Sequence, residues 1–302
     1  MMPFIRSSAA VLLFAATAVV LHAEDFTRTL PASGTPHVAV NTGSGYIHLV
    51  PGSSNEVRIT GHVRKDNSWH FGNDEDRIRR IVSNPPIEQT PDGIFIGRNN
   101  DRDLFQHISI DYDVTLPAGS SIEARSGSGD IRARAFNGPF AAHTGSGDVE
   151  VGELGSNVRL DTGSGSIRAN GVRGAAIART GSGDIELHQT APGDVRAETG
   201  SGSIRLQGIN GGLRANTGSG DIEIQGQIAT DWHIDTGSGS IRIALGRDAH
   251  FGVEASTGSG TVHTEQQIMM RGSLNPHRVT GSVNGGGPIL HMQTGSGDIQ
   301  IR

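Results

Sequence analysis

A four-residue motif, T-G-S-G, recurs along most of this chain at a nearly fixed interval. Copies begin at Ser126, Thr144, Thr162, Thr180, Thr199, Thr217, Thr236, Thr257 and Thr294, and an earlier copy, "NTGSGYIHL", starts at Asn41. From Ser126 to Thr257 the spacings are 18, 18, 18, 19, 18, 19 and 21 residues, and a gap of 37, close to two periods, follows. A degenerate "TGSVNGGG" at Thr280–Gly287 lies inside that gap. Each tetrad is flanked by two short alternating runs, such as "VRAE" before and "SIRL" after. Period-two alternation over four or five residues marks strands with one buried face. Turn residues such as "NGP", "LGS" and "APG" separate the runs. Two strands and two corners in about 18 residues make one coil of a β-solenoid. The predicted fold is therefore all-β: a two-sheet parallel β-solenoid, resembling a β-roll or β-helix, of about ten coils.

The repeat assigns each position a direction. Ile131, Val149, Ile167, Ile185, Ile204, Ile222 and Ile241 form one inward column, with Ala133, Val151, Ala169, Leu187, Leu206, Ile224 and Ile243 beside it. Phe140, Val158, Ala176, Val195, Leu213, Trp232 and Val253 lie across the core. Next to the tetrad the inward residue is mostly alanine, which predicts that the sheets close together there. Glycine is then expected at the corner for positive φ and for close approach of coils. The outward column after the tetrad reads Arg132, Glu150, Arg168, Glu186, Arg205, Glu223, Arg242. The signs alternate without exception. Coils stacked about 4.8 Å apart place each glutamate between two arginines. This is read as a structural ladder on a solvated face that also guards register, since a one-coil slip would set like charges together. Asp130, Asp148, Asp184 and Asp221 precede the ladder, interleaved with Ser166, Ser203 and Ser240.

Composition narrows the rest. Of 302 residues only 34% are hydrophobic, which suits a thin, elongated core. The formal net charge of −6, with a single lysine at Lys65, argues against nucleic-acid binding. With no cysteine there is neither a disulfide nor a lipid-modified cysteine. Residues 1–23 read as an export signal: Arg6 precedes a largely apolar run at Ala9–Leu21, and "LHA" ends at Ala23. Cleavage after Ala23 is preferred, Ala16–Ala18 is a second site, and an uncleaved N-terminal anchor is the alternative. No later run is long enough to span a membrane. The mature chain is expected to be exported, to the periplasm, the cell surface or the medium.

Residues 24–118 are less regular and are read as a cap on the solenoid of residues 119–302. "PHVAVNTGSGYIHLVPG" already has the form of a coil, "EVRITGHV" adds a strand, and "HISIDYDVTLPAG" places Ile108, Ile110, Tyr112, Val114 and Leu116 on one face. Asn73 or Asp74 is positioned to cap a short helix through Ile81, stopped by Pro85 and Pro86. At the other end "TGSGDIQIR" leaves a strand with no sequence after it. An open final coil would invite pairing with another chain. The stretch Glu265–Gly287, with Met269 and Met270, is available to fold over that edge, and the covered, monomeric form is favoured.

The chain resembles a bacterial putative-adhesin family of unknown function, related to the GIN-type autotransporter adhesin head. The resemblance rests on "VAVNTGSGYIHL", "IDYDVTLPAGSSIEARSGSGDIRA" and "VTGSVNGGGPILHMQTGSGDIQI" and covers nearly all of residues 36–302. It implies an exported β-solenoid and supplies no catalytic residues. The expected function is non-catalytic: adhesin-like binding or scaffolding of cell-envelope or extracellular material, a glycan or a protein.

Other chemistries fit the residues less well. A phosphate cradle is one Gly-rich loop before one helix, whereas this loop recurs between strands. The calcium roll needs an aspartate two residues after its last glycine in every nine; here Asp148 follows Gly147 directly and the motif comes once in about 18. A polysaccharide-cleaving β-helix needs carboxylates converging in one cleft, but Asp148/Glu150, Asp184/Glu186 and Asp221/Glu223 are spread evenly. His263, His277 and His291 are the nearest approach to a histidine cluster, without metal-site spacing. The tetrad threonines share the inward parity, so they do not form exposed ice-binding rows. No cofactor, metal or catalytic residue is assigned. The β-helix enzyme is the alternative reading, and a pocket at residues 60–110 or 257–295, where the repeat breaks, would discriminate.

Overall fold

The alternating runs form strands that stack in parallel register. Val149 lies between Ile131 and Ile167 in one sheet, and Phe140 between Ile122 and Val158 in the other. The structure, a computed structural model, describes residues 24–53, 55–65, 74–98, 103–270 and 275–302. The expected export signal, residues 1–23, lies outside the described residues. The two sheets have 13 and 14 strands. Eleven strands of each belong to coils, and the others are antiparallel strands at the two ends. Eleven layers give a rod on the order of 50 Å long. The inward columns are buried along its whole length and join one core, in which Trp232 is fully enclosed.

The tetrad is the corner between the sheets, and its parts are fixed by contacts between coils. From Thr144 onward each tetrad threonine is buried and donates its hydroxyl to a carbonyl of the adjacent coil. Thr180 Oγ1 donates to the carbonyl of Gly165 in the preceding coil at 2.8 Å and accepts the N–H of Gly183 at 3.1 Å. Thr162, Thr217, Thr294 and the serine variant Ser126 make the same donation. Both glycines lie against a carbonyl of the adjacent coil, so a Cβ at Gly163 or Gly165 would run into the backbone oxygen of Gly145 or Gly147. Close approach is thus the reason for glycine. Positive φ is not: apart from Gly297, whose φ of 159° is near extended, no tetrad glycine has one. Aspartates after the tetrad extend the pattern. Asp148 Oδ1 accepts the N–H of Ser166 at 2.8 Å and Asp184 Oδ1 that of Ser203 at 2.8 Å.

The two ends depart from chain order. The strands of the final tetrad, Ile289–Ser296 and Ile299–Ile301, are inserted as a coil between Trp232–Ser238/Ile241–Leu245 and Phe251–Thr257/Val262–Thr264. The 37-residue gap is therefore an excursion to an outer layer and back. The final coil is covered, but by other coils rather than by the stretch Glu265–Gly287: Leu290 pairs with Trp232 on one side and Val253 on the other. The stretch after Glu265 does cover an edge, but that of Phe251–Thr257, through antiparallel Arg278–Val283 and then Ile268–Met270. Met269 makes no apolar cover, being 74% exposed.

The N-terminal end mirrors this. The coil His37–Thr42/Ile47–Gly52 stacks on Ser121–Ser126/Ile131–Arg134, while the later strands Gly93–Ile96 and Ile108–Pro117 form a coil outside it. Glu56–Lys65 and Glu24–Pro31 add antiparallel to one sheet and Ile87–Thr90 to the other. The sheets therefore run without a break across residue 119. Among the described residues the helix is Asp74–Ser83, with Asp74, Glu75 and Asp76 in its first turn and Arg80 in its last, as helix-dipole electrostatics favours. The buried Asp74 carboxylate bonds Lys65 and Arg77, and these hold its pKa below the ordinary carboxylate range.

Candidate functional surfaces

Because every inward residue is consumed by the core and every tetrad by the corners, chemistry is left to the two outer faces. On the face of the 13-stranded sheet the seven ladder residues stand side by side in the order Arg132, Glu150, Arg168, Glu186, Arg205, Glu223, Arg242. The arginines divide their contacts. Arg132 Nε lies 3.5 Å from Glu150 and Arg205 Nε 3.9 Å from Glu223, but Arg132 also meets Asp130 at 2.9 Å, and Arg168 and Arg242 turn to Asp148 and Asp221 at 3.7 and 3.0 Å. Roughly half of each side chain is solvated, so each pair contributes only ~0–1 kcal/mol. Glu186→Arg would set three arginines in a row. The expected loss of stability is ~1 kcal/mol or less, shrinking at high salt, and urea melts at two ionic strengths measure it.

Beyond Arg132 the column continues as His48 and then Asp113, where the alternating outward residues of Glu56–Lys65 and Ile108–Pro117 add a cluster. Asp113 accepts from Tyr46 Oη at 3.1 Å and contacts His48 Nδ1 and His62 Nε2, each at 3.0 Å. The other nitrogen of His62 meets Asp25 at 2.9 Å. Burial pushes the Tyr46 phenol up to about 12, assisted by the Asp113 charge. For His62, burial alone would lower the pKa. Hydrogen bonds to Asp25 and Asp113 and their charges outweigh it, and the imidazole stands above its ordinary value. Protonated His62 thus ties the edge strand Glu24–Pro31 to the sheet. A pKa raised by folding adds stability below the ordinary imidazole range, and that stability is lost as pH rises through the folded value. Wild type is therefore expected to lose more thermal stability than His62→Gln between about pH 6 and pH 8, as melting curves at both pH values would show. Sequence reading missed this cluster. Its signal was the outward parity of His48, His62 and Asp113.

The face of the 14-stranded sheet carries a different column. Arg196, Arg214, His233, His291 and Glu254 are successive neighbours there. His233 and His291 stack with ring centres 4.6 Å apart, and His291 Nδ1 lies 3.0 Å from Glu254. Where Arg278–Val283 crosses the end of this face there is a hollow of about 430 Å³, lined among others by His233, Asp235, Glu254, Arg278, His291 and Gln293. The histidines expected to come closest, His263, His277 and His291, are not brought together. His291 pairs with His233, His277 Nδ1 meets the carbonyl of Gly260 at 2.6 Å, and His263 lies in the opposite sheet. Among the described residues no group of three or more His, Asp or Glu is arranged to hold a metal ion.

Residues 93–302 of this two-sheet solenoid match the Toastrack DUF4097 family. The chain belongs to that family. Two solved structures are also similar to it. One is described as a putative cell adhesion protein from Clostridium sporogenes ATCC 15579, with 12% identity, 92% of this chain and 99% of that chain covered and a TM-score of 0.22. The other is a putative adhesin from Bacteroides fragilis NCTC 9343, with 14% identity, 93% and 99% covered and a TM-score of 0.37. No curated protein matches. In this Toastrack chain the evenly spaced carboxylates divide by role. Asp148, Asp184 and Asp221 bond the next coil, and backbone N–H donation from Ser240 lowers the pKa of Asp221. Glu150, Glu186 and Glu223 stand one per coil on alternate layers of the ladder. Among the described residues no helix of the Toastrack chain is long and apolar enough to cross a membrane.

Proposed function

We propose that this Toastrack protein is an exported, non-catalytic binding or scaffolding solenoid whose outer faces engage cell-envelope or extracellular material. One observation carries the reading: the tetrad threonines and the aspartates that follow alternate tetrads bond the adjacent coil rather than one another across a cleft. A long rod built that way offers repeated side chains at the interval of a strand pair, which suits an extended partner better than a single small substrate. The largely apolar run at Ala9–Leu21, with Arg6 before it, supports export. The test is a screen of the mature chain, residues 24–302, against glycans and envelope fractions, run beside assays for polysaccharide depolymerisation. Retention on envelope or extracellular polymers without cleavage is the expected result. Turnover of any polysaccharide would overturn the non-catalytic reading, and an uncleaved, cytoplasmic chain in cell fractions would overturn export.

A further inference from the structure

On the 13-stranded sheet each ladder neighbour has the opposite sign. The 14-stranded sheet keeps no such alternation: its outward column runs Ala141, Arg159, Ile177, Arg196 and then sets like charges together. Arg196 lies directly beside Arg214, and Arg214 beside His233, itself stacked on His291. Like charges directly opposite one another destabilise a sheet. Nearby carboxylates relieve only the two ends of this run. Glu198 takes Arg196 at 2.6 Å and Arg179 at 2.9 Å, and Glu254 takes His291. Among the described residues Arg214 enters no ion pair, and its side chain is exposed. The same holds for Arg278, which reaches the hollow from the antiparallel strand that closes this end.

The hollow is not simply basic. Asp235 and Glu254 line it beside Arg278 and the two imidazoles, with Gln293 as a neutral hydrogen-bonding group. Ionised carboxylates only accept hydrogen bonds. They repel any anionic group but receive hydroxyl groups, which a polyphosphate chain lacks and a sugar acid carries beside its carboxylate. Unpaired guanidinium groups bind planar carboxylates in a two-pronged fashion. A ligand that satisfies both sets carries carboxylates and hydroxyls on one repeating unit.

We propose that this face binds an acidic polysaccharide of uronate units, its chain running along the column from Arg196 to His291 and into the hollow. Arg214 and Arg278 take uronate carboxylates, and Asp235 and Gln293 take ring hydroxyls. This rests on the binding reading above and names its ligand class.

The probe is an oligogalacturonate, compared with its methyl ester, which keeps the sugar backbone and removes the charge, and with a single-stranded oligonucleotide of equal charge. Calorimetric titration of the mature chain is expected to show binding of the free acid that weakens with salt. The ester and the oligonucleotide should bind at least about tenfold more weakly. Arg214→Glu and, on a separate strand, Arg278→Glu should each weaken binding at least about tenfold, while Arg168→Ala on the opposite sheet leaves it within about twofold. Arg214→Glu also removes a like-charge contact, so its thermal stability should hold or rise. A purely structural column would show that gain with no loss of binding. Absence of oligogalacturonate binding, equal binding of the ester, or full binding by Arg214→Glu overturns the proposal. If the chain retains other envelope polymers but ignores oligogalacturonate, this inference alone fails; if it retains nothing, the binding reading fails with it.

Discussion

Replacing Gly165 by alanine is expected to destabilise the protein by at least about 3 kcal/mol. Gly165 is buried at the corner, and a Cβ there would collide with the backbone oxygen of Gly147 in the preceding coil. The obstacle is main chain, so no side chain can swing aside. Separating the two coils would also stretch the bond through which Thr162 reaches Gly147. Two controls isolate the cause. Gly246→Ala has open space around it, and Ser164→Ala changes an exposed side chain of the same tetrad; each should cost less than about 0.5 kcal/mol. Urea unfolding of the three variants decides. A Gly165→Ala loss below about 1 kcal/mol would mean that the coils part locally at little cost.

The second large effect is expected for Leu290→Asp, a loss of at least about 3 kcal/mol. In chain order Leu290 belongs to the last coil, where a carboxylate would reach solvent past the end of the rod. In the structure it is fully buried, with Trp232 on one side and Val253 on the other. An unpaired charge has no partner there and no path to water. The disruption should spread outward, because Phe251–Thr257 touches the rest of its sheet through Ile289–Ser296 and the cap strand Arg278–Val283. Limited proteolysis should therefore cleave beyond Leu245 while the coils before it stay protected. A loss under about 1 kcal/mol would contradict the inserted position of the last coil.

The inward columns, the coil length and the ladder were all legible in the chain. They depend on side-chain parity and on a spacing that hardly varies. The glycine positions were legible too, but their cause was not, since φ and close approach leave the same residue. The histidine and aspartate cluster at Asp113 escaped notice because its members come from Glu24–Pro31, Ile47–Gly52, Glu56–Lys65 and Ile108–Pro117, with no common spacing. The second sheet's column was hidden for a related reason: His291 becomes the neighbour of His233 only through the insertion of the final coil.

One trace of that insertion did stand in the sequence. Asp184, Ser203, Asp221 and Ser240 alternate, and chain order would continue with Thr261 and then Asp298. The structure stacks Ser240 beside Asp298 and Asp298 beside Thr261, whose N–H it accepts at 2.8 Å. Spatial order thus restores the alternation that chain order breaks. What the sequence by itself determined is the coil: which residues face in, which corner needs glycine and threonine, and which sheet each strand joins. What only the tertiary structure decided is the order of coils at the two ends. Every coil presents the same hydrogen-bonding edge and a similar apolar face, so local pattern cannot say which neighbour it takes. Loop-closure entropy grows only slowly with length, by about 0.6 kcal/mol for each doubling. A long excursion therefore costs little more than a short one, and packing and edge coverage choose between them.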